Sequence, residues 1–251
     1  MSRNKLKIIG VIPARMESTR FPDKPLALIE GREMILWVAG AAAKAKHLSK
    51  VIVATDSDRI REVVEKAGFK CEMTSKFCRT GSDRICEVAL RTEGEIFVNI
   101  QGDEPLIEPA VIDSVAAPFL TAPGLKVVTA ISEVRNAAEY ENPSCVKVVI
   151  DRRDYAMYFS RSAIPYFRSQ KTDVSKVYKH IGIYAYTREA LLDFSNLEKS
   201  TCEEAESLEQ LRFLENGHRI FCVRTDYAPK GVDTPADLEE VIKIINKRKK
   251  V

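Results

Sequence analysis

Short β-branched and apolar runs alternate with amphipathic helical patterns through the first half of the chain, and this alternation limits the possible folds more than any other feature. Strand-like runs occupy residues 6–12, 50–54, 70–74 and 96–100, with helical patterns near 33–46, 57–67 and 82–92. Such alternation predicts a mostly parallel sheet wrapped by helices. The first and last of these strands are apolar at successive positions, which indicates that both faces of the sheet are covered.

The pattern changes after about residue 125. Further strands are predicted at 126–132, 145–151, 155–159, 178–186 and 219–225, and helices near 188–195 and 203–216. Several of the intervening loops are too short for crossover helices, which favours antiparallel pairing. Since no linker, repeat or low-complexity tract divides the chain, we predict one α/β domain over residues 1–251, with a mostly parallel central sheet and a mixed, partly antiparallel second half.

Charge and cysteine usage exclude several classes of protein. The chain has 39 basic and 36 acidic residues and a net charge of +3, and four of the cations are Lys247, Arg248, Lys249 and Lys250. This balance predicts no nucleic-acid partner. The six cysteines form no C-x-x-C pair and there are only three histidines, so no zinc site is expected. With no apolar run near the roughly 20 residues of a membrane span and no signal peptide, we expect a cytoplasmic protein that does not enter the membrane.

A basic segment follows the first predicted strand. Arg15, Arg20 and Lys24 fall within ten residues. Open α/β sheets bind ligands at the carboxyl ends of their strands, so these cations suit a phosphate-rich ligand. The glycine spacings of dinucleotide-binding and P-loop proteins are missing, which weighs against a dehydrogenase or a P-loop kinase. On spacing alone, a solvated basic loop is an equal alternative.

Two acidic turns are candidates for a metal site. The sequence N-I-Q-G-D-E-P covers residues 99–105, and G-V-D-T-P begins at Gly231. In the second motif Thr234 can cap a helix that starts at the following proline, so Asp233 is not needed for the cap. Asp103 and Asp233 could meet over the sheet and hold Mg²⁺, which favours one or two carboxylates plus phosphate oxygens. Each of these residues alone is more typical of a turn.

Six motifs, in order from about residue 8 to residue 242, resemble those of the 3-deoxy-manno-octulosonate (Kdo) cytidylyltransferase family, the CMP-Kdo synthetases. The motifs are P-A-R-x-x-S-x-R-x-P-x-K-P-L at 13–26, N-I-Q-G-D-E-P at 99–105, Y-A-M-Y-F-S-R at 155–161, K-H-I-G-I-Y at 179–184, L-E-Q-L-R at 208–212 and G-V-D-T-P at 231–235. Their common register over nearly the whole chain makes the resemblance specific.

The resemblance implies a Rossmann-like nucleotidyltransferase fold and a defined reaction. An enzyme of this kind transfers CMP from CTP to the anomeric hydroxyl of Kdo, yielding CMP-Kdo and pyrophosphate for lipopolysaccharide biosynthesis. It requires Mg²⁺ and is a homodimer. Residues 1–125 would form the nucleotide-binding half, and residues 126–251 the half for sugar binding and dimerisation.

The resemblance also assigns site residues. Catalysis falls to Arg15, Lys24, Asp103 and Asp233, of which the two aspartates ligate the metal. The nucleotide would lie near Ala14, Arg15, Ser18, Lys24, Thr74, Ser75, Gly81, Ser82 and Gln101. The acid sugar would lie near Arg84, Gln101, Arg161, His180, Tyr184, Glu209 and Gln210.

Two positions depart from the family pattern. Cys78 stands where the family commonly has histidine, and Asp23 stands where a glycine often precedes the lysine. The second change puts an anion beside the predicted phosphate site. Two alternative functions stay open at this point: a nucleotidyltransferase for another sugar, such as 8-amino-Kdo, a sialic acid or a hexose phosphate, and a sugar-nucleotide-binding regulator without catalysis. Retention of both Asp103 and Asp233 weighs against the regulator.

Overall fold

The computed structural model describes residues 6–16, 21–78, 80–168 and 173–248. The strands within these ranges are β1 (Ile8–Ala14), β2 (Leu28–Ile29), β3 (Arg32–Glu33), β4 (Lys50–Thr55), β5 (Lys70–Met73), β6 (Ile96–Asn99), β7 (Val127–Glu133), β8 (Lys147–Ile150), β9 (Ala156–Ser160), β10 (Tyr178–Thr187) and β11 (Ile220–Arg224). The α-helices are α1 (Met34–Ala42), α2 (Asp58–Lys66), α3 (Gly81–Arg91), α4 (Pro109–Ala116), α5 (Pro118–Thr121), α6 (Ala137–Glu141), α7 (Arg188–Asn196), α8 (Thr201–Glu206), α9 (Gln210–Glu215) and α10 (Pro235–Arg248). Short 3₁₀ helices span Lys24–Leu26 and Val174–Lys176.

One large sheet contains strands from both halves of the chain. Its main path runs β11-β7-β10-β6-β1-β4-β5, and β8 and β9 branch from β10. The first-half strands are parallel, because β1 pairs with β4 and β6 and β4 pairs with β5 in that sense. β10 runs antiparallel to β6 and β7. The predicted α/β architecture, with its mixed second half, is therefore confirmed.

Helices cover both faces of this sheet, as the unbroken apolar strands require. α1, α2 and α4 pack with Ile8 and Ile12 of β1 on one face. On the other face, α3, α7 and α9 pack with Ile9 and Val11 of the same strand. A strand whose alternate side chains all enter a core has no polar face, and this is why it reads as a continuous apolar run.

The predicted single helix at 203–216 is wrong, because the structure has two helices there. Ser207 ends α8 in the left-handed conformation at φ 51°, and α9 starts at Gln210. The end of α8 is tied to β9: Glu206 accepts hydrogen bonds from the Ser160 hydroxyl at 2.5 Å and from the Arg161 N–H at 2.9 Å. Serine rarely adopts φ above zero, so composition gave no sign of the break.

The carboxyl ends of β1, β4, β5 and β6 meet at one edge of the sheet. The residues that follow these ends include Arg15, Asp56, Thr74 and Gln101. Ligand sites of open α/β sheets form at such an edge, so a functional site is expected there. Among the helices described, none has both the length and the apolar composition needed to cross a membrane.

Candidate active site

A cleft opens at this edge, and residues from both ends of the chain line it. The predicted site residues that line it are Ala14, Arg15, Lys24, Gly81, Arg84, Gln101, Asp103 and Asp233. Two residues of the basic segment, Ser18 and Arg20, lie outside the described residues. The cleft thus combines three cationic side chains with two carboxylates, as a polyphosphate and a divalent cation together would require.

Lys24 joins the two aspartates. Its Nζ lies 2.7 Å from Asp103 Oδ2 and 3.3 Å from Asp233 Oδ1. These two carboxylates therefore converge on a single positive charge, although 130 residues separate them in the sequence. Their predicted meeting over the sheet agrees with this geometry.

Backbone contacts bring the two acidic turns together. The Val232 N–H donates to the Asp103 carbonyl at 2.9 Å, which ties the segment before α10 to the turn after β6. Thr234 Oγ1 accepts a hydrogen bond from the Asp237 N–H at 3.3 Å, and Asp237 Oδ2 accepts one from the Thr234 N–H at 3.0 Å. The predicted helix cap is therefore present. Asp233 is set at the cleft by these contacts.

The adjacent carboxylates of the N-I-Q-G-D-E-P turn have separate environments. Asp103 lines the cleft, whereas Glu104 is buried and accepts a hydrogen bond from the Tyr227 hydroxyl at 3.3 Å. Burial, with a smaller contribution from the charge of Asp103, raises the pKa of Glu104 to about 7. Glu104 therefore belongs to the packing beneath the turn.

Asp23 shows why glycine suits its position. The residue is left-handed at φ 55°, and its backbone turn leads directly into the 3₁₀ helix that carries Lys24. Its carboxylate is paired with Arg59 Nη1 at 2.9 Å, in an exposed ion pair with a residue of α2. Glycine populates this backbone region without cost, and aspartate is among the few other residues that tolerate it.

We expect Asp23→Gly and Asp23→Asn to fold with little change in the free energy of unfolding, because both residues accept positive φ and the exposed ion pair contributes only about 0–1 kcal/mol. Asp23→Val, which disfavours this conformation, should lower the free energy of unfolding by about 1–2 kcal/mol. Urea denaturation of the three variants measures the difference. Equal losses for valine and glycine would show that backbone conformation is not the constraint.

The loop between β5 and α3 forms another wall of the cleft. Thr80 and Asp83 make a capping box at the start of α3. A Cβ on Gly81 would lie 3.3 Å from Pro13 Cγ, so the glycine allows close approach of the helix to β1. Ser82 and Ser75 are not among the residues that line the cleft: the Ser82 hydroxyl donates to Glu209 Oε2 at 2.9 Å, and the Ser75 hydroxyl accepts from the Phe77 N–H at 3.0 Å.

Cys78 lines the cleft where the family has histidine. Burial and its hydrogen bond to Glu87 raise the pKa of the thiol to about 11. The thiol is therefore protonated at neutral pH.

Four of the predicted sugar residues, together with Asn99 of β6, form a buried to half-buried group behind the cleft. His180 and Tyr184 lie on one face of β10, as their spacing predicts, with ring centroids 5.1 Å apart. Glu209 and Gln210 approach from the start of α9, and Gln210 is buried rather than on a solvated helix face. Gln101 connects this group to the cleft, because its Nε2 donates to the Gly182 carbonyl at 2.9 Å.

The buried group contains polar atoms that lack a hydrogen-bond partner within the described part of the chain. These atoms are Asn99 Oδ1, Tyr184 OH, Glu209 Oε1 and Gln210 Nε2. Buried donors and acceptors are almost always paired in native proteins, and an unpaired one costs about 1–3 kcal/mol. Together these atoms offer hydrogen bonds that a hydroxyl-rich ligand could satisfy.

His180 is uncharged in this setting. Its Nε2 lies 3.0 Å from Thr129 Oγ1, and burial lowers the pKa of the imidazole to about 3. A neutral ring can donate from one nitrogen and accept at the other. His180 therefore suits hydrogen bonding to an uncharged hydroxyl and is too weak a base to take up a proton at neutral pH.

The Arg161 side chain is hydrogen-bonded to backbone carbonyls. Its guanidinium donates to Glu206 O at 2.7 Å, to Pro143 O at 3.2 Å and to Ser207 O at 3.4 Å. These contacts satisfy carbonyl groups at the carboxyl end of α8, where a cation also interacts well with the helix dipole. A direct contact between Arg161 and the sugar stays a prediction.

Three residues at the site were not singled out from the sequence, namely Asp56, Glu87 and Asn99. Asp56 pairs with Arg84, Glu87 holds the loop that carries Cys78, and Asn99 contributes an unpaired amide oxygen to the buried group. Asn99 opens a quoted motif and Asp56 directly follows a strand, so both offered a positional signal. Glu87 lies within an amphipathic helix and offered none.

Comparison with known proteins agrees with this geometry. The cytidylyltransferase family profile matches residues 9–220. The 3-deoxy-manno-octulosonate cytidylyltransferase of Geobacter sulfurreducens is 47% identical over 246 residues, covering 94% of this chain and 98% of the relative. The enzyme of the same name from Chlorobium phaeobacteroides is 48% identical over 241 residues, covering 95% of this chain and 97% of its own length.

Solved structures show the same relationship. A CMP:2-keto-3-deoxy-manno-octonic acid synthetase in complex with CTP aligns with a TM-score of 0.91 and 42% identity, covering 96% of this chain and 99% of its own. A 4-diphosphocytidyl-2C-methyl-D-erythritol synthase from Anaerococcus prevotii aligns with a TM-score of 0.65 at 14% identity, which shows a shared fold alone. With close relatives matched along nearly their full length, the chain belongs to the 3-deoxy-manno-octulosonate cytidylyltransferase family.

Proposed function

We propose that the protein transfers CMP from CTP to the anomeric hydroxyl of Kdo and releases pyrophosphate. The observation that carries the proposal is the convergence of Asp103, Asp233 and Lys24 in a cleft that also contains Arg15 and Arg84. The names of the close relatives supply the identity of the substrates. In this reaction the sugar oxygen forms a bond to the α-phosphorus of CTP, the bond between that phosphorus and the pyrophosphate oxygen breaks, and the hydroxyl proton passes to solvent.

The cationic side chains of the cleft support the nucleotide half of the reaction. Arg15 lies directly after β1 and is exposed at the cleft, and Lys24 lines the same cleft beside the two aspartates. Positive groups held in place before the reaction stabilise the charge that develops as pyrophosphate leaves. Arg15 also offers two parallel donors to a phosphate, which a lysine cannot reproduce.

The residues present fit Mg²⁺. Asp103 and Asp233 already direct carboxylate oxygens at one cation, the Lys24 ammonium, and two carboxylates with phosphate oxygens are a donor set that Mg²⁺ accepts. We propose that these two aspartates hold the ion. When bound, Mg²⁺ offsets phosphate charge and lowers the pKa of a hydroxyl that it contacts.

The buried polar group supports the sugar half. A ligand with many hydroxyls can pair the free atoms of Asn99, Tyr184, Glu209 and Gln210. A pocket built for hydroxyls leaves its own polar groups unpaired when a poorer sugar enters, so discrimination can be large. His180, neutral because burial lowers its pKa to about 3, offers the sugar a further hydrogen-bonding partner.

The decisive experiment is a pyrophosphate-release assay. CTP, ATP, GTP and UTP are each offered with Kdo, 8-amino-Kdo, a sialic acid and a hexose phosphate, with and without Mg²⁺. We expect turnover with CTP and Kdo and loss of turnover when Mg²⁺ is chelated. Preference for another sugar would identify a related nucleotidyltransferase, and binding of nucleotide without pyrophosphate release would identify a regulator.

The family resemblance supports three further proposals, namely a homodimeric state, a place in the cytoplasm and a product used for lipopolysaccharide. Light scattering coupled to size-exclusion chromatography measures the first, with a mass near 56 kDa expected from two chains of 28.2 kDa. Cell fractionation measures the second. Loss of CMP-Kdo and of complete lipopolysaccharide after depletion of the protein in its host measures the third.

Lys24→Ala is expected to weaken CTP binding by at least about tenfold while changing CMP binding little, because we propose that its ammonium contacts the β- and γ-phosphates, which CMP lacks. Calorimetry with each nucleotide measures both affinities. Lys44→Ala is the control, since Lys44 is exposed at the end of α1 and does not line the cleft. Equal losses for CTP and CMP would contradict the placement.

A further inference from the structure

Asp56 stands at the edge of the sheet that forms the cleft, immediately after β4. The next residue, Ser57, caps α2 by accepting a hydrogen bond from the Ile60 N–H, so the carboxylate of Asp56 is not needed for the cap. That carboxylate accepts a hydrogen bond from Arg84 Nη2 at 2.9 Å. The pair joins the end of β4 to the first turn of α3.

The Arg84 side chain is only 3% exposed, yet it lines the cleft. A buried guanidinium is costly unless an opposite charge compensates it, and Asp56 supplies that charge. Arg84 Nη1 donates in addition to Thr74 Oγ1, and the Thr74 N–H is fixed to the Thr55 carbonyl at 2.8 Å. Two neighbouring strand ends therefore hold the guanidinium from behind.

This arrangement leaves donors for a ligand. A guanidinium has five N–H groups in a rigid plane, and the bonds to Asp56 and Thr74 use one on each terminal nitrogen. The remaining three are not engaged by any residue in the described ranges. A planar cation with a fixed orientation and unused donors can bind a carboxylate with little ordering cost.

We propose that Asp56 is a positioning residue for the acid sugar, acting through Arg84. Asp56 orients the guanidinium so that its unused N–H groups meet the sugar's carboxylate in the cleft. Without Asp56, the buried cation loses its compensating charge and one of the two contacts that fix its orientation. The inference rests on the proposed function, because the choice of an acid sugar as the partner of Arg84 comes from it.

Steady-state kinetics with each substrate varied in turn test the proposal. We expect Asp56→Ala to raise the KM for Kdo by at least about tenfold, with kcat and the KM for CTP within about twofold of wild type. Asp56→Asn retains one acceptor oxygen and should rescue part of the loss. The matched control is Asp58→Ala, which removes a carboxylate two residues away that pairs with Arg61 at 2.9 Å on the exposed side of α2. An unchanged KM for Kdo, or equal changes for both substrates, overturns the proposal.

A double variant separates positioning from a general effect on the fold. Arg84→Lys cannot form the same fork, so adding Asp56→Ala to it should raise the KM for Kdo little further. Additive effects of the two changes would mean that Asp56 does not act through Arg84. The comparison remains informative if the variants lose some stability, because the interaction is measured relative to Arg84→Lys.

A substrate-free measurement distinguishes failure of this inference from failure of the proposed function. The Arg84 Nε–H resonance, followed by NMR in the ligand-free protein, should shift in Asp56→Asn and stay unchanged in Asp58→Asn. An unchanged resonance in Asp56→Asn overturns the positioning role whatever the substrate is. Absence of turnover with CTP and Kdo in the wild type overturns the proposed function instead.

Discussion

Asp103→Asn and Asp233→Asn are each expected to lower kcat by at least roughly a hundredfold, the largest effect on turnover that the structure implies. Both carboxylates converge on the Lys24 ammonium, at 2.7 and 3.3 Å. An amide keeps the shape of each side chain but removes a charge that would hold Mg²⁺ against the phosphates of CTP. Since the reaction gathers negative charge as pyrophosphate departs, loss of this compensation acts on the transition state.

The fold should survive both changes. The two aspartate side chains are 37% and 50% exposed, and ion pairs at such sites contribute about 0–1 kcal/mol to stability. Measurement of kcat at saturating Mg²⁺, alongside thermal unfolding, separates catalysis from stability. Asp226→Asn is a suitable control, because Asp226 is exposed and lies outside the cleft. Near wild-type kcat in either cleft variant would contradict the metal assignment.

The meeting of these aspartates could be predicted from the sequence because it follows from rules about the ends of elements. An apolar strand before Asp103 and a helix cap after Asp233 place both residues at element ends, and parallel strands bring such ends to one edge. The alternation of strands and helices likewise predicted the parallel strands and covering helices of the first half of the chain. In these cases, local patterns carry the information.

The supports of the site depend on long-range contacts that no local pattern records. Arg84 is held by Asp56, which lies 28 residues away, and Ser82 is bonded to Glu209, which lies 127 residues away. The break between α8 and α9 likewise depends on contacts of Glu206 with β9. Arg161 illustrates the converse, because its motif suggests a sugar ligand while its guanidinium lies on three carbonyls near α8.

The same region contains an ion pair whose loss should have the largest effect on stability. Arg212 of α9 donates to Glu203 of α8 through Nε at 2.6 Å and Nη2 at 2.5 Å, and the two side chains are 5% and 6% exposed. The guanidinium also lies 4.4 Å from the ring centre of Phe194. Glu203 further accepts from the backbone at Ser200, so the pair connects the start of α8 to α9.

Glu203→Ala or Arg212→Ala is therefore expected to lower the free energy of unfolding by about 3–5 kcal/mol, because either change leaves an uncompensated buried charge. The combined change Glu203→Leu and Arg212→Met, which replaces both charges by apolar groups, should cost much less than the sum of the single alanine variants. Urea denaturation measures all three, with Lys126→Ala as the control because its pair with Glu189 is exposed. Since Glu209 and Gln210 lie between the paired residues, single variants that still fold at low temperature should also show a raised KM for Kdo. If the single variants have the same free energy of unfolding as the control, the ion pair does not hold α8 against α9.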